Sequence, residues 1–183
     1  MDENFDHCFC IMLTLSDLET MTKTDGEGWG LAHVKRVLHL IDLIGFDLSF
    51  DRFALTIATY LHDWAAFPRY RQAGIGHALR SRQLAEAEIL PQMNLPATTR
   101  PIIMEAIERH DYRDLRPVSS LEALLLREAD FLDFLGVIGL TREFAWGPNN
   151  LEICLQQLLA RRAIIETRFT LPVAQQLAAI PLE

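Results

Sequence analysis

Ser49-Phe50-Asp51-Arg52-Phe53-Ala54-Leu55-Thr56-Ile57-Ala58-Thr59-Tyr60-Leu61-His62-Asp63 is an apolar run that ends in an adjacent imidazole and carboxylate. Ser49 stands where a helix cap would accept orphan backbone N–H groups, and Phe53, Ile57, Ala58 and Leu61 fall on one helical face. The stretch therefore predicts a helix whose buried face finishes at His62. Pro68 and Gly74-Ile75-Gly76 follow as a loop signal, a natural place for a site entrance.

Outward from this run the same period persists. Val34, Val37, Leu38 and Ile41 form a stripe over Leu31 to Ile44, and Gly45 closes it. Further helices are expected over His77 to Leu90, Thr98 to His110, Ser119 to Asp130, Asp133 to Trp146, Asn149 to Arg168 and Pro172 to Ile180. Pro91, Pro96, Pro117 and Gly147-Pro148 separate them. No stretch alternates apolar and polar residues as a half-buried strand does, so the expected fold class is all-α, a compact helical bundle. Repeats, linkers and low-complexity segments are absent, and residues 1–183 read as one domain.

Half of the 183 residues are hydrophobic (50%), enough for a sizeable core. A net charge of −8 argues against a general nucleic-acid-binding surface, which needs clustered Lys and Arg. Met1-Asp2-Glu3-Asn4-Phe5-Asp6 is acidic where a secretory signal is basic, and no apolar run is long enough to span a bilayer. Cys8, Cys10 and Cys154 are odd in number and lack zinc-site spacing. These features together predict a cytoplasmic protein without disulfides or a membrane partner. Self-association is left open.

The phasing of the polar residues points to chemistry. His110 lies in register with Ile103, Ala106 and Ile107, and Asp130 continues the stripe of Ala123 and Leu126 with Asp133 one turn later. A carboxylate on an apolar face is costly unless a cation offsets it. His62 and Asp63 point about 100° apart if both are helical, yet at a helix end both can reach one ion. His77 directly follows Gly76 at a helix start, where the helix dipole favours the neutral imidazole a metal requires. With His33, these residues are the ligand types of a divalent first-row metal site. Taken singly, His110 also reads as a hydrogen-bonded core residue and His77 as an ordinary helix-start residue. Asp133 reads equally as a carboxylate orienting a ligand or as a cap or salt-bridge partner. Gly136 and Gly139 read as permitting close helix packing, and His7 and His39 carry no assigned role. Arg69, Arg71, Arg80 and Arg82 supply positive charge near the dyad, either to grip phosphate or as solvated surface charge.

His33-Val34-Lys35-Arg36-Val37, Tyr60-Leu61-His62-Asp63 and Arg127-Glu128-Ala129-Asp130-Phe131-Leu132-Asp133, followed by Leu135-Gly136 and Ile138-Gly139, resemble the HD-domain metal-dependent phosphohydrolase superfamily. The likeness covers roughly residues 29–146 and is greatest to a branch of small, stand-alone HD hydrolases. It implies that His33, His62, Asp63 and Asp130 hold a first metal. It also places His77 and His110 where a second metal would be held, with Asp63 bridging. Manganese, iron, cobalt, nickel or magnesium would suit such ligands. The implied reaction is hydrolysis of a small phosphate ester or anhydride, a nucleotide among the candidates, by a metal-activated hydroxide. Many single-metal members carry an acid shortly after the dyad, whereas this chain reads Trp64-Ala65-Ala66-Phe67. That departure favours a bridging hydroxide, or His77 or His110 as proton donor. Two alternatives remain at this point: an HD domain that binds ligand without hydrolysis, and a di-iron oxygenase of the same fold.

Overall fold

The computed structural model describes residues 12–146 and 150–179. The expectations that fall on His7, Cys8, Cys10, Gly147-Pro148, Asn149 and Ile180 lie outside them. Among the described residues there are nine α-helices and no strand.

The first helix is absent from the periodicity reading. Thr14 accepts from the Asp17 N–H and Asp17 accepts from the Thr14 N–H, a reciprocal cap that starts α1 (Leu15–Asp25). The turn after it passes through Glu27 and Gly28 at φ 47° and 79° into α2 (Gly30–Ile44). Gly30 is required there, because a Cβ would lie 2.6 Å from the Phe67 ring.

In α3 (Arg52–Leu61) the cap is Asp51 rather than Ser49, with its carboxylate accepting from the Ala54 N–H at 2.9 Å. Glu122 in turn accepts from the Asp51 N–H at 2.6 Å and holds the cap in place. Phe53 is 46% exposed, while Ala54, Leu55, Ile57, Ala58 and Leu61 are buried. α3 packs against α1, α2, α5 and α6, so its buried surface is wider than one stripe and its exposed edge falls on Phe53. A single 3-10 turn, Trp64–Ala66, follows the dyad.

The helix expected over His77 to Leu90 is regular only in α4 (His77–Leu84). It then passes through a π turn (Ala85–Ile89) and a 3-10 turn (Leu90–Gln92) that contains Pro91. Proline has no N–H and clashes with the preceding turn, so the hydrogen-bond spacing changes on approach to it. α5 spans Thr99–Arg109. The break expected between Asp130 and Asp133 does not exist: α6 runs unbroken from Leu121 to Leu135, capped by Ser120, because nothing before Gly136 interrupts it. α7 (Val137–Trp146), α8 (Leu151–Glu166) and α9 (Pro172–Ala178) complete the described chain. Gly136 would meet nothing closer than 3.8 Å as an alanine and serves as a break. A Cβ at Gly139 would lie 2.2 Å from the Phe134 carbonyl oxygen, so the reading of close packing holds for Gly139 alone of the two.

α6 is the axis of the bundle, packed by α2, α3, α5, α7, α8 and α9. It is buried on nearly every side, and its buried charges tie neighbouring elements to it. Glu128 accepts from the Thr170 N–H and hydroxyl and from the Leu171 N–H, anchoring the start of α9. Arg127 donates to the carbonyls of Arg109 and Arg116. No helix among the described residues is long and apolar enough to cross a membrane.

Candidate metal centre

Two helices end in the same way. His62 closes α3 and lies with Nδ1 2.8 Å from the Thr59 carbonyl; His110 closes α5 with Nδ1 2.6 Å from the Ile107 carbonyl. Carbonyls in a last turn lack helical partners and accept, so each ring carries its proton on Nδ1 and presents a bare Nε2. His33, from the middle of α2, has Nδ1 2.8 Å from Asp133 Oδ2 and is fixed likewise. His77, the first residue of α4, is the least buried of the four, its side chain 26% exposed. Its Nδ1 lies between Asp111 Oδ2 at 3.6 Å and Arg113 Nη2 at 3.3 Å.

The four Nε2 atoms converge on Asp63. Oδ2 of Asp63 is 3.5 Å from His33 and 3.8 Å from His62; Oδ1 is 3.3 Å from His77 and 3.5 Å from His110. Within each histidine pair the Nε2 atoms are 3.1 Å apart. Ligand atoms about 2.1 Å from an ion and about 90–110° apart lie about 3.0–3.4 Å from one another, so both pairs have ligand spacing. Asp130 Oδ1 completes the first group, 3.4 Å from His33 Nε2 and 3.9 Å from His62 Nε2. That oxygen is buried and accepts no hydrogen bond, unlike the carboxylates of Glu122, Glu128 and Asp133 on the same helix. A buried carboxylate oxygen without a donor, amid imidazole nitrogens, is what a cation ligand looks like before the cation is counted. The residues present fit a divalent first-row ion.

The electrostatics agree. Burial pushes His62 down to about 4, against the attraction of Asp63. Burial opposes protonation of His33 as well, but Asp130 and Asp133 raise it to about 9. The two nearby carboxylates thus favour positive charge beside His33 Nε2. Burial would raise Asp63, yet His62, His110 and His77 hold it well below the usual carboxylate range. His77 is lowered, chiefly by burial. Asp133, which burial would raise, is held low by His33 and Arg36; Arg36 Nε donates to it at 2.6 Å.

The group opens through Asp63 and His77 onto a cavity of about 390 Å³. Of the four arginines near the dyad, Arg71 lines it and donates to the Ala66 carbonyl at 2.8 Å. The other three are engaged elsewhere: Arg69 with Asp25, Arg80 with the Tyr70 carbonyl, Arg82 with Glu86 and Glu108. The cavity's remaining basic residues, Arg142 and Arg161, come from α7 and α8 and were missed because nothing in the sequence spacing links them to the dyad. Asp111 and Arg113 were also missed, although His110-Asp111 repeats the dyad's own dipeptide at a helix end. The turn after His62-Asp63 brings no acid to the site. Trp64 donates to Thr22 Oγ1 and the Ala65 N–H to Ser81 Oγ, so it is packed inward.

The profile of the HD domain family matches residues 30–135. No curated protein matches the sequence significantly. Several solved structures are similar. A predicted HD superfamily hydrolase from an uncultured Thermotogales bacterium has 23% identity and TM-score 0.56, covering 82% of this chain and 84% of its own. A protein from Listeria innocua has 19% identity and TM-score 0.63, covering 91% and 88%. An HD-superfamily hydrolase from Bacillus thuringiensis has 22% identity and TM-score 0.59, covering 90% and 86%. At these identities the likeness is one of fold.

Proposed function

The chain belongs to the HD domain family, and from that premise we propose that it is a metal-dependent phosphohydrolase acting on a phosphate ester or anhydride of a small molecule, with nucleotides the first class to test. The observation that carries this reading is Asp63, whose two oxygens face two separate histidine pairs. His33, His62, Asp63 and Asp130 would hold a divalent ion, which when bound would supply Lewis acidity to bring water toward a neutral pKa and offset phosphoryl charge. His77 and His110, together with Asp63, would hold a second ion more weakly.

The rest of the work falls to the chain. Asp133 and the carbonyls of Thr59 and Ile107 hold three imidazoles with Nε2 inward. Arg71 at the cavity wall is placed to bind a phosphate oxygen. His77 borders the cavity beside Asp63, so in the single-ion form it is the group positioned to protonate a leaving oxygen. His110 is 1% exposed, with Nδ1 tied to the Ile107 carbonyl, and acts only as a ligand.

Elemental analysis of the purified protein, with a panel of phosphate esters and anhydrides, tests the reading. Metal together with metal-dependent phosphate release is expected. Bound metal without turnover would reassign the chain to a ligand-binding HD domain. Iron with dioxygen-dependent turnover would make it an oxygenase.

A further inference from the structure

Away from Asp63, the cavity wall is built from two aromatic rings and two guanidinium groups that no reading of the metal centre uses. Arg142 lies over the Trp29 ring at 5.1 Å and over Phe134 at 5.8 Å; Arg161 lies over the same Phe134 ring at 5.0 Å. Both arginines line the cavity. Each keeps a nitrogen shielded from solvent with no hydrogen-bond partner among the described residues, Nη1 of Arg142 and Nε of Arg161. Leaving a charged donor unsatisfied costs more than leaving a neutral one, and aromatic stacking offsets only part of that cost.

The charges do not cancel locally. Arg161 is paired with Glu143 at 2.7 Å. Among the described residues Arg142 has only Asp133 as an ion-pair partner, at 3.6 Å, and Asp133 is already engaged by His33 and by Arg36 at closer range. With Arg71, the cavity carries three arginines, against Glu143 and the metal-facing Asp63, in a chain of net charge −8. A surplus of positive charge on an aromatic wall, beyond the reacting centre, suits a second anion carried by a planar or apolar body.

We propose that Arg142 and Arg161 form a second anion subsite, so that the substrate carries, besides the phosphate at the metal centre, a further phosphate or carboxylate group beyond a body bordered by Trp29 and Phe134. The inference rests on the phosphohydrolase reading and adds the substrate's second charge. It also assigns specificity to two residues that lie outside the matched family profile, residues 30–135.

Phosphonates, whose C–P bond a phosphohydrolase leaves intact, separate binding from turnover. Three probes are titrated calorimetrically into metal-loaded protein: 4-nitrobenzylphosphonate, 4-carboxybenzylphosphonate and p-xylylene bisphosphonate. The first two have nearly the same shape and differ by one charge; the third separates phosphate from carboxylate preference. The protein is expected to bind one of the two probes that carry a second anionic group at least ten-fold more tightly than the nitro compound. Arg142→Gln and Arg161→Gln should each erase most of that ratio while changing the affinity for the nitro compound less than about two-fold. Arg142→Lys and Arg161→Lys, which keep the charge, should restore part of it. Should a glutamine variant fold poorly, the ratio in the unaltered protein and in the lysine variants decides. Equal affinity for all three probes, or a preference indifferent to the arginines, would overturn the subsite and leave the phosphohydrolase reading intact. Failure of every phosphonate to bind would instead remove that reading, and the inference with it.

Discussion

Asp133 Oδ2 lies 2.8 Å from His33 Nδ1, joining residues a hundred positions apart in the chain and aiming His33 Nε2 at Asp63 and Asp130. A carboxylate behind an imidazole fixes its tautomer and raises its basicity as a ligand. Asp133→Ala is therefore expected to weaken metal binding by about 10–100-fold without removing any ligand. Metal titration of the chelator-treated variant checks it, and unchanged affinity would return Asp133 to a purely structural partner of Arg36.

Asp63 and Asp130 should separate. The two oxygens of Asp63 divide between the histidine pairs, whereas Asp130 Oδ1 lies nearest His33 and His62, its carboxylate also grouping with His62 and His110. Asp63→Ala is expected to abolish metal retention and turnover together, and Asp130→Asn to weaken the first site while a second ion can still bind. Elemental analysis after dialysis at graded metal concentrations distinguishes them.

The second site should be the weaker one, since His77 is its most exposed ligand and its Nδ1 accepts from the Arg113 guanidinium at 3.3 Å, whereas His33, His62 and His110 have Nδ1 on a carboxylate or a carbonyl. Metal-replete protein is expected to hold two ions about 3.5–4 Å apart. His110→Ala should lower the stoichiometry to one. A single ion throughout, with His110→Ala leaving metal content and turnover unchanged, would make His110 a core residue only.

Among the arginines close to the dyad in sequence, only Arg71 lines the cavity. Loss of a charge-assisted contact costs about 1.5–3 kcal/mol, so Arg71→Ala should raise KM by about ten- to a hundred-fold if the contact is made equally in ground and transition states. Arg69→Ala, Arg80→Ala and Arg82→Ala should match the parent. Kinetics on the phosphate ester found by the panel would expose an error if any of the three behaved like Arg71→Ala.

Stripped of metal, the protein should be most stable near pH 6.5. His62, lowered to about 4, resists a proton that the unfolded chain accepts below 6.5, so its contribution is lost as pH falls from 6.5 to 4. His33, raised to about 9, contributes fully below 6.5 and loses that contribution as pH rises to 9. Melting temperatures of chelator-treated protein across this range test the sign on each side. A melting temperature that rises steadily from pH 6.5 to 9 would contradict the charged His33.

Local chemistry made much of the molecule legible in advance. A three- to four-residue apolar period admits no strand, and it located α2, α3, α5 and α8 to within a few residues. His110, Asp130 and the His62-Asp63 dyad stood out because polar residues on or at the end of apolar stripes need a reason to be there, and His33 through the HD resemblance. α1 escaped because it is mostly polar and is announced by a cap rather than by a stripe, and the π turn after α4 escaped because its spacing depends on accommodating Pro91. What only the tertiary structure decided is relations across the chain. These are the division of Asp63 between two histidine pairs, the hold of Asp133 on His33, and the replacement of Arg69, Arg80 and Arg82 by Arg142 and Arg161 at the cavity. Periodicity reports which face of a helix is buried, but not which other helix lies against it. Charge dense in sequence is therefore no guide to charge dense in space, and a site assembled from α2, α3, α4, α5 and α6 takes its geometry from how those helices pack around one another.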